Sequence, residues 1–241
     1  MQFQYVYGIS TFCCHDEPLP STLEKLAPLT DFIEVMDEGL HYLSDAELIQ
    51  SYSCRFSIHA PCRGTNIASL LEPIRRASVE VMVQCFSCAA EVGAPVVVHP
   101  GYFAWAEERL KAEEQLRRSL AELSSTADEF SIKYYIENMG NWDYFLIRRP
   151  EELSLIGGTG FALDVGHAHQ NNCLPAFLVH TAEHYHLHDN DGSEDAHLAI
   201  GKGSIDFPPV LRAIREHGGM PVIEVATLDG VMESLERLKH L

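Results

Sequence analysis

Seven apolar runs along the chain each carry or end in a side chain able to hold a metal ion. Glu34 sits in Asp31-Phe32-Ile33-Glu34-Val35, His59 in Ser57-Ile58-His59-Ala60-Pro61, and His99 in Val98-His99-Pro100-Gly101. Glu137 closes Ile136-Glu137-Asn138, Asp164 closes Ala162-Leu163-Asp164, and Glu224 closes Val222-Ile223-Glu224. In the remaining run His184, His186 and His188 alternate, so in an extended chain they share one face. A mixed imidazole and carboxylate set suits Zn, Mn, Fe or Co rather than Ca or a thiolate site. One such residue alone is ordinarily a hydrogen-bonded structural group. Seven converging on one place are different, because burying that many carboxylates and imidazoles together is costly without a cation.

Two clusters extend the set. Asp164-Val165-Gly166-His167 puts a histidine on the turn after the aspartate. His188-Asp189-Asn190-Asp191-Gly192 opens a long loop containing Asp195-Ala196-His197 and Gly201-Lys202-Gly203. The D-x-H spacing lets both side chains reach one metal from extended chain; a solvated acidic loop is the plain alternative for Asp195. His169 and His180 lack comparable placement and read as ordinary surface or helix histidines.

These residues need elements to position them. The runs Tyr5–Ile9, Asp31–Val35, Arg55–His59, Pro95–His99, Lys133–Glu137, Gly160–Asp164, His184–His188 and Pro221–Val225 read as strands. Their near-continuous apolar character, as in Pro95-Val96-Val97-Val98, suits a parallel sheet buried on both faces. Helical patterns cover Pro73–Val92, Glu107–Glu129 and Asp229–His240, with shorter ones at Ser21–Leu26, Ser44–Gln50, Pro150–Leu155, Leu174–Thr181 and Pro208–His217. Gly93 and Gly218-Gly219 follow helices where left-handed caps are expected. Eight strands alternating with eight helices predict an α/β fold closing into a single (β/α)8 TIM barrel over residues 1–241. In that fold all C-terminal strand ends meet at one mouth. No G-x-G-x-x-G follows any strand, which leaves a dinucleotide-binding open sheet without support.

The 241 residues match the roughly 250 typical of such a barrel. A net charge of −18 argues against nucleic acid, since a duplex-binding face must be basic. The seven cysteines are an odd number, scattered, and suit reduced thiols better than a disulfide framework. Cys85 and Cys88 form a C-x-x-C inside a helical pattern and read as a buried helical pair. No stretch approaches the ~20 apolar residues of a membrane helix. Met1-Gln2-Phe3-Gln4-Tyr5 shows no secretory leader, so the expected location is the cytoplasm.

Taken together, Ser57-Ile58-His59-Ala60-Pro61, Leu163-Asp164-Val165-Gly166-His167 and His186-Leu187-His188-Asp189 resemble the xylose isomerase-like TIM-barrel superfamily over nearly the whole chain. That group holds sugar and sugar-phosphate isomerases and epimerases, and the endonuclease IV family. The isomerase branch implies one divalent ion on Glu137, Asp164, His186 and Glu224, with Glu137 and Glu224 also catalytic, passing a proton through an enediolate. The endonuclease branch implies up to three ions: His59, His99 and Glu137 for the first; Glu137, Asp164, His186 and Glu224 for the second; His167, Asp195 and His197 for the third. Zn or Mn is the expected metal.

The favoured expectation is a metal-dependent isomerase or epimerase of a small sugar or sugar phosphate, without membrane attachment. Phosphoester hydrolysis on a small phosphorylated substrate is the alternative. Glu34, His167 and His188 are expected to contact substrate, Tyr102 and Trp105 to cover it, and Lys202 to meet an anionic group where family members often carry Gly-Glu-Gly. Superfamily barrels often assemble, which implies a homo-oligomer.

Overall fold

The structure, a computed structural model, describes residues 7–241. Tyr5 and Val6 of the expected first strand, and the Met1–Tyr5 segment expected to carry no leader, lie outside the described residues. Eight parallel strands close into one barrel in sequence order: β1 (Gly8–Ser10), β2 (Phe32–Met36), β3 (Arg55–His59), β4 (Val96–Val98), β5 (Tyr134–Glu137), β6 (Gly160–Asp164), β7 (His184–Leu187) and β8 (Met220–Ile223). The seam between β8 and β1 is sealed by Gly8 opposite Val222 and Ile9 opposite Ile223.

Side-chain alternation divides the strands into two environments. Val96 and Val98, Ile136, Phe161 and Leu163, and Tyr185 and Leu187 face outward into the main core beneath the helices. Val97, Tyr135 and Ala162 face inward and, with Met220, form a separate apolar floor inside the barrel. A strand's period of two then dictates what lies one layer higher. His99 stands two residues beyond Val97, Glu137 beyond Tyr135, and Asp164 beyond Ala162. The apolar floor thus positions a polar layer at the C-terminal mouth, the face where barrels of this kind place their sites.

The helices are α1 (Leu19–Leu26), α2 (Glu47–Gln50), α3 (Glu72–Val92), α4 (Arg109–Phe130), α5 (Val165–Gln170), α6 (Leu174–Phe177), α7 (Phe207–His217) and α8 (Leu228–Leu238). Gly93 ends α3 in the left-handed region at φ +64°, as its placement predicted. One expectation needs correction. Pro150–Ile156 is a 3-10 helix, not an α-helix, so β5 and β6 are joined without one. Its proline start and the Gly157 that stops it at φ +61° bound a seven-residue segment that takes the tighter 3-10 turn. The extra element is α5, which leaves β6 with no loop between. No helix among the described residues is long and apolar enough to cross a membrane.

Candidate metal centre

Glu137, at the end of β5, is the hub. Its Oε2 lies 3.0 Å from His99 Nε2 and 3.3 Å from His59 Nε2, and its Oε1 lies 3.0 Å from His186 Nδ1. His186 Nδ1 is also 3.5 Å from Glu224 Oε2 and 3.8 Å from Asp164 Oδ2. The donor atoms of Glu137, Asp164, His186 and Glu224 fall within 4.8 Å of one another, all four residues buried. Asn138 steadies the ring by bonding the Asp164 backbone twice. It donates Nδ2–H to the Asp164 carbonyl at 2.9 Å and accepts from the Asp164 N–H at 2.7 Å.

Two further groups flank this one. His59, Cys62 and His99 bring their donor atoms within 4.8 Å on one side, and His188, Asp195 and His197 do so on the other. His167 Nε2 also reaches Asp195 Oδ2, at 3.1 Å. The third cluster therefore contains both His167 and His188 around Asp195, where the resemblance implied His167 alone. His188 lies flat on His197, ring centroids 3.9 Å apart. Gly166 makes room for this: a Cβ there would stand 2.0 Å from the His188 ring.

Local structure explains how each donor is aimed. Asp164 caps α5, accepting the His167 N–H at 2.6 Å, so one carboxylate serves both helix and site. Asp189, fully buried, collects the N–H groups of Asn190, Gly201 and Ile205 and so folds the loop that presents Asp195 and His197. His197 itself has φ +42°, a conformation that costs a non-glycine residue about 1 kcal/mol or more.

The imidazoles are preset. A backbone carbonyl can only accept, so Nδ1–H of His59 donates to Ala60, that of His167 to Asn138, and that of His197 to Glu224. Each ring, when neutral, turns an Nε2 lone pair toward the carboxylates, the arrangement that backbone carbonyls impose on metal-binding histidines. Glu224 Oε1 is buried without a hydrogen-bond partner. These donors fit a divalent ion.

Charge compensates charge throughout. Burial opposes ionisation of Glu137, but His186 and His99 hold its carboxyl well below the usual range. Burial likewise acts against Asp164, and His167 and His188 overcome it. Burial lowers the histidines, yet Glu137 brings His59 up to about 9, and Asp195 with Glu224 brings His197 up to about 9. The Cys62 thiol is pushed up by burial and by Glu38 and Glu137.

Beneath the ring, Glu34 is fully buried and holds two histidines. Its Oε2 lies 2.8 Å from His184 Nε2 and accepts from Ser57 Oγ at 2.8 Å, while its Oε1 lies 2.8 Å from His186 Nε2. It therefore supports His186 from below and has no surface for a substrate. Replacing Glu34 with alanine strands two buried imidazoles and is expected to cost about 3–5 kcal/mol of stability. Urea unfolding measures it; an unchanged midpoint would remove this supporting role.

The mouth opens into a cavity of about 710 Å³. Glu137, Glu224, His59, His99, His167, Asp195 and His197 line it, whereas Asp164, His186 and His188 lie behind that wall. Phe12, Asp37, His41, Tyr42 and Cys62 also line it, and the sequence reading assigned none of them to the site. Burial raises the Asp37 carboxyl to about 6. Cys62 has a visible signal in the sequence, since His59-Ala60-Pro61-Cys62 is an H-x-x-C. Tyr102 packs against Trp142 with ring centroids 5.5 Å apart, and Trp105 is exposed. Neither lines the cavity, and neither does Lys202, which pairs with Glu233 at 3.0 Å.

Comparison with known proteins adds a lineage. Residues 31–241 match the family described as xylose isomerase-like TIM barrel. An uncharacterized protein of Methanocaldococcus jannaschii is 32% identical over 97% of this chain and 98% of its own length. A crystal structure described as a D-tagatose 3-epimerase-like protein is 32% identical and superimposes with a TM-score of 0.90, covering 98% of this chain and 96% of that one. A probable endonuclease 4 of Mycobacterium leprae is 28% identical over 76% of this chain and 77% of its own.

Proposed function

The chain belongs to the xylose isomerase-like TIM-barrel family, and on that premise we propose that it is a divalent-metal-dependent epimerase or isomerase of a small sugar or sugar phosphate. The observation that carries this reading is the division of the four-donor group: Glu137 and Glu224 reach the cavity wall, while Asp164 and His186 stay behind it. Two carboxylates facing one cavity can serve the two faces of a bound substrate carbon. An ion held by Glu137, Asp164, His186 and Glu224 would polarise a carbonyl and adjacent hydroxyl, acidifying the carbon between them.

The chain's own groups then account for the proton. One glutamate, as the carboxylate, accepts it from the carbon, and the other, as the acid protonated from solvent, returns a proton to the opposite face, inverting the centre; the first then gives its proton to solvent. His186 bridges the two, 3.0 Å from Glu137 and 3.5 Å from Glu224, and keeps both oriented. His167, with Nδ1–H fixed on the Asn138 carbonyl, presents Nε2 near the cavity, where it can orient a substrate hydroxyl. The likeness to the D-tagatose 3-epimerase-like structure supports the same reading.

A second reading has its own observation. Single-site proton transfer does not require the flanking groups His59–Cys62–His99 and His188–Asp195–His197, which a multinuclear phosphoester hydrolase would use. The similarity to endonuclease 4 favours it, and the net charge of −18 directs it toward a small phosphoester rather than DNA.

Incubation with ketoses and ketose phosphates in heavy water separates the two. Epimerisation predicts deuterium at the carbon beside the carbonyl, seen by NMR and abolished by EDTA. Absence of exchange, together with metal-dependent phosphate release, would replace the first reading by the second.

A further inference from the structure

Of the seven cysteines, Cys62 is the one whose sulfur joins a metal-capable group, within 4.8 Å of the His59 and His99 donors. Its place is built. Glu38 Oε1 accepts the backbone N–H groups of both Cys62 and Arg63, Pro61 precedes it, and Thr65 Oγ1 donates back to the Pro61 carbonyl at 2.8 Å. His59 donates Nδ1–H to Ala60 and leaves Nε2 to bind, 3.3 Å from Glu137 Oε2. Glu137 Oε2 sits 3.0 Å from His99 and 3.3 Å from His59, the two histidines whose donor atoms lie within 4.8 Å of the thiol.

We propose that Cys62 is a thiolate ligand to an ion held with His59, His99 and Glu137, and that this position selects zinc. This rests on the metal dependence in the function proposed above. Sulfur and imidazole donors favour zinc over magnesium or manganese, and four protein donors match its tetrahedral preference. The group of Glu137, Asp164, His186 and Glu224 has three carboxylates and one imidazole, a harder set. The two positions therefore differ in chemistry: one with sulfur and imidazole donors that suits zinc, next to an oxygen-rich one. Ligation releases the thiol proton to solvent.

Cobalt(II) is the probe. Metal-free full-length protein loaded with cobalt is expected to show visible ligand-field bands and a near-ultraviolet sulfur-to-cobalt charge-transfer band. Cys62→Ser should keep the first and lose the second. Labelling by iodoacetamide, read at the Cys62 peptide by mass spectrometry, should slow about tenfold or more with zinc and not with magnesium. Identical cobalt spectra for wild type and Cys62→Ser, with labelling indifferent to zinc, would overturn the thiolate while leaving a metal centre. Absence of any ligand-field band in wild type would overturn the metal centre and the proposed function with it.

Discussion

Replacing Glu137 by glutamine is expected to lower turnover by about 10³-fold or more, with the barrel intact. Glutamine keeps the shape but removes the charge and the proton acceptor, and positioned acid–base groups contribute about 10²–10⁴-fold on their own. Glu137 is also the carboxylate shared by His59, His99 and His186, so its loss weakens ion binding as well. Glu224→Gln makes the comparison informative. It removes the other cavity-facing carboxylate of the four-donor group but leaves Glu137 against His59 and His99. Both variants should lose exchange of the substrate proton, whereas Glu137→Gln alone should also lose the ion beside His59. Circular dichroism checks the fold and elemental analysis counts the ions. A Glu137→Gln enzyme turning over within about tenfold of wild type would refute the site.

The metal-free protein should lose stability with rising pH where the metal-loaded protein does not. In the metal-free protein His59 and His197 are raised from an ordinary value of 6.5 to about 9. A group raised on folding stabilises the fold fully below its unfolded value and loses that contribution as pH climbs through its folded value. Metal-free protein should therefore lose melting temperature between about pH 6.5 and 9. Ion binding must displace those protons, so its affinity rises over the same window, by up to about tenfold per pH unit for each proton released. Melting curves with EDTA and with zinc across this range check both, and the gap between the two should widen with pH. Parallel curves would mean that the ion does not compete with these protons. Calorimetry in buffers of different ionisation enthalpy counts the protons directly.

The barrel was legible because its strands are short apolar runs broken by helical periodicity, and because seven of the eight carry or end in a polar residue. Alternation in His184-Tyr185-His186-Leu187-His188 correctly put three histidines on one inward face. Their partners were not legible. Glu34 meets His184 and His186 from a strand on the far side of the closed barrel, and no local pattern encodes that meeting. The same holds for His188, whose stacking on His197 depends on the loop folded around Asp189. Helix α5 escaped because six residues directly after a strand cannot show amphipathic periodicity; its trace is the capping spacing Asp164-x-x-His167. Tyr102 and Trp105 looked like a cover because aromatic residues after a strand often are. Here Phe145 draws Tyr102 into a small antiparallel bridge beside Trp142, apart from the cavity wall.

The order of donors along the polypeptide matters during synthesis. His59, Cys62 and His99 belong to the first four strands and their loops, while Glu137, Asp164, His186 and Glu224 belong to the last four. A nascent chain therefore displays nitrogen and sulfur donors well before its oxygen-rich set, and that set is complete only when the final strand seats against the first. An ion captured early could rest only on the imidazole and thiol side. The oxygen-rich half of the centre is thus assembled last, by the same event that closes the fold.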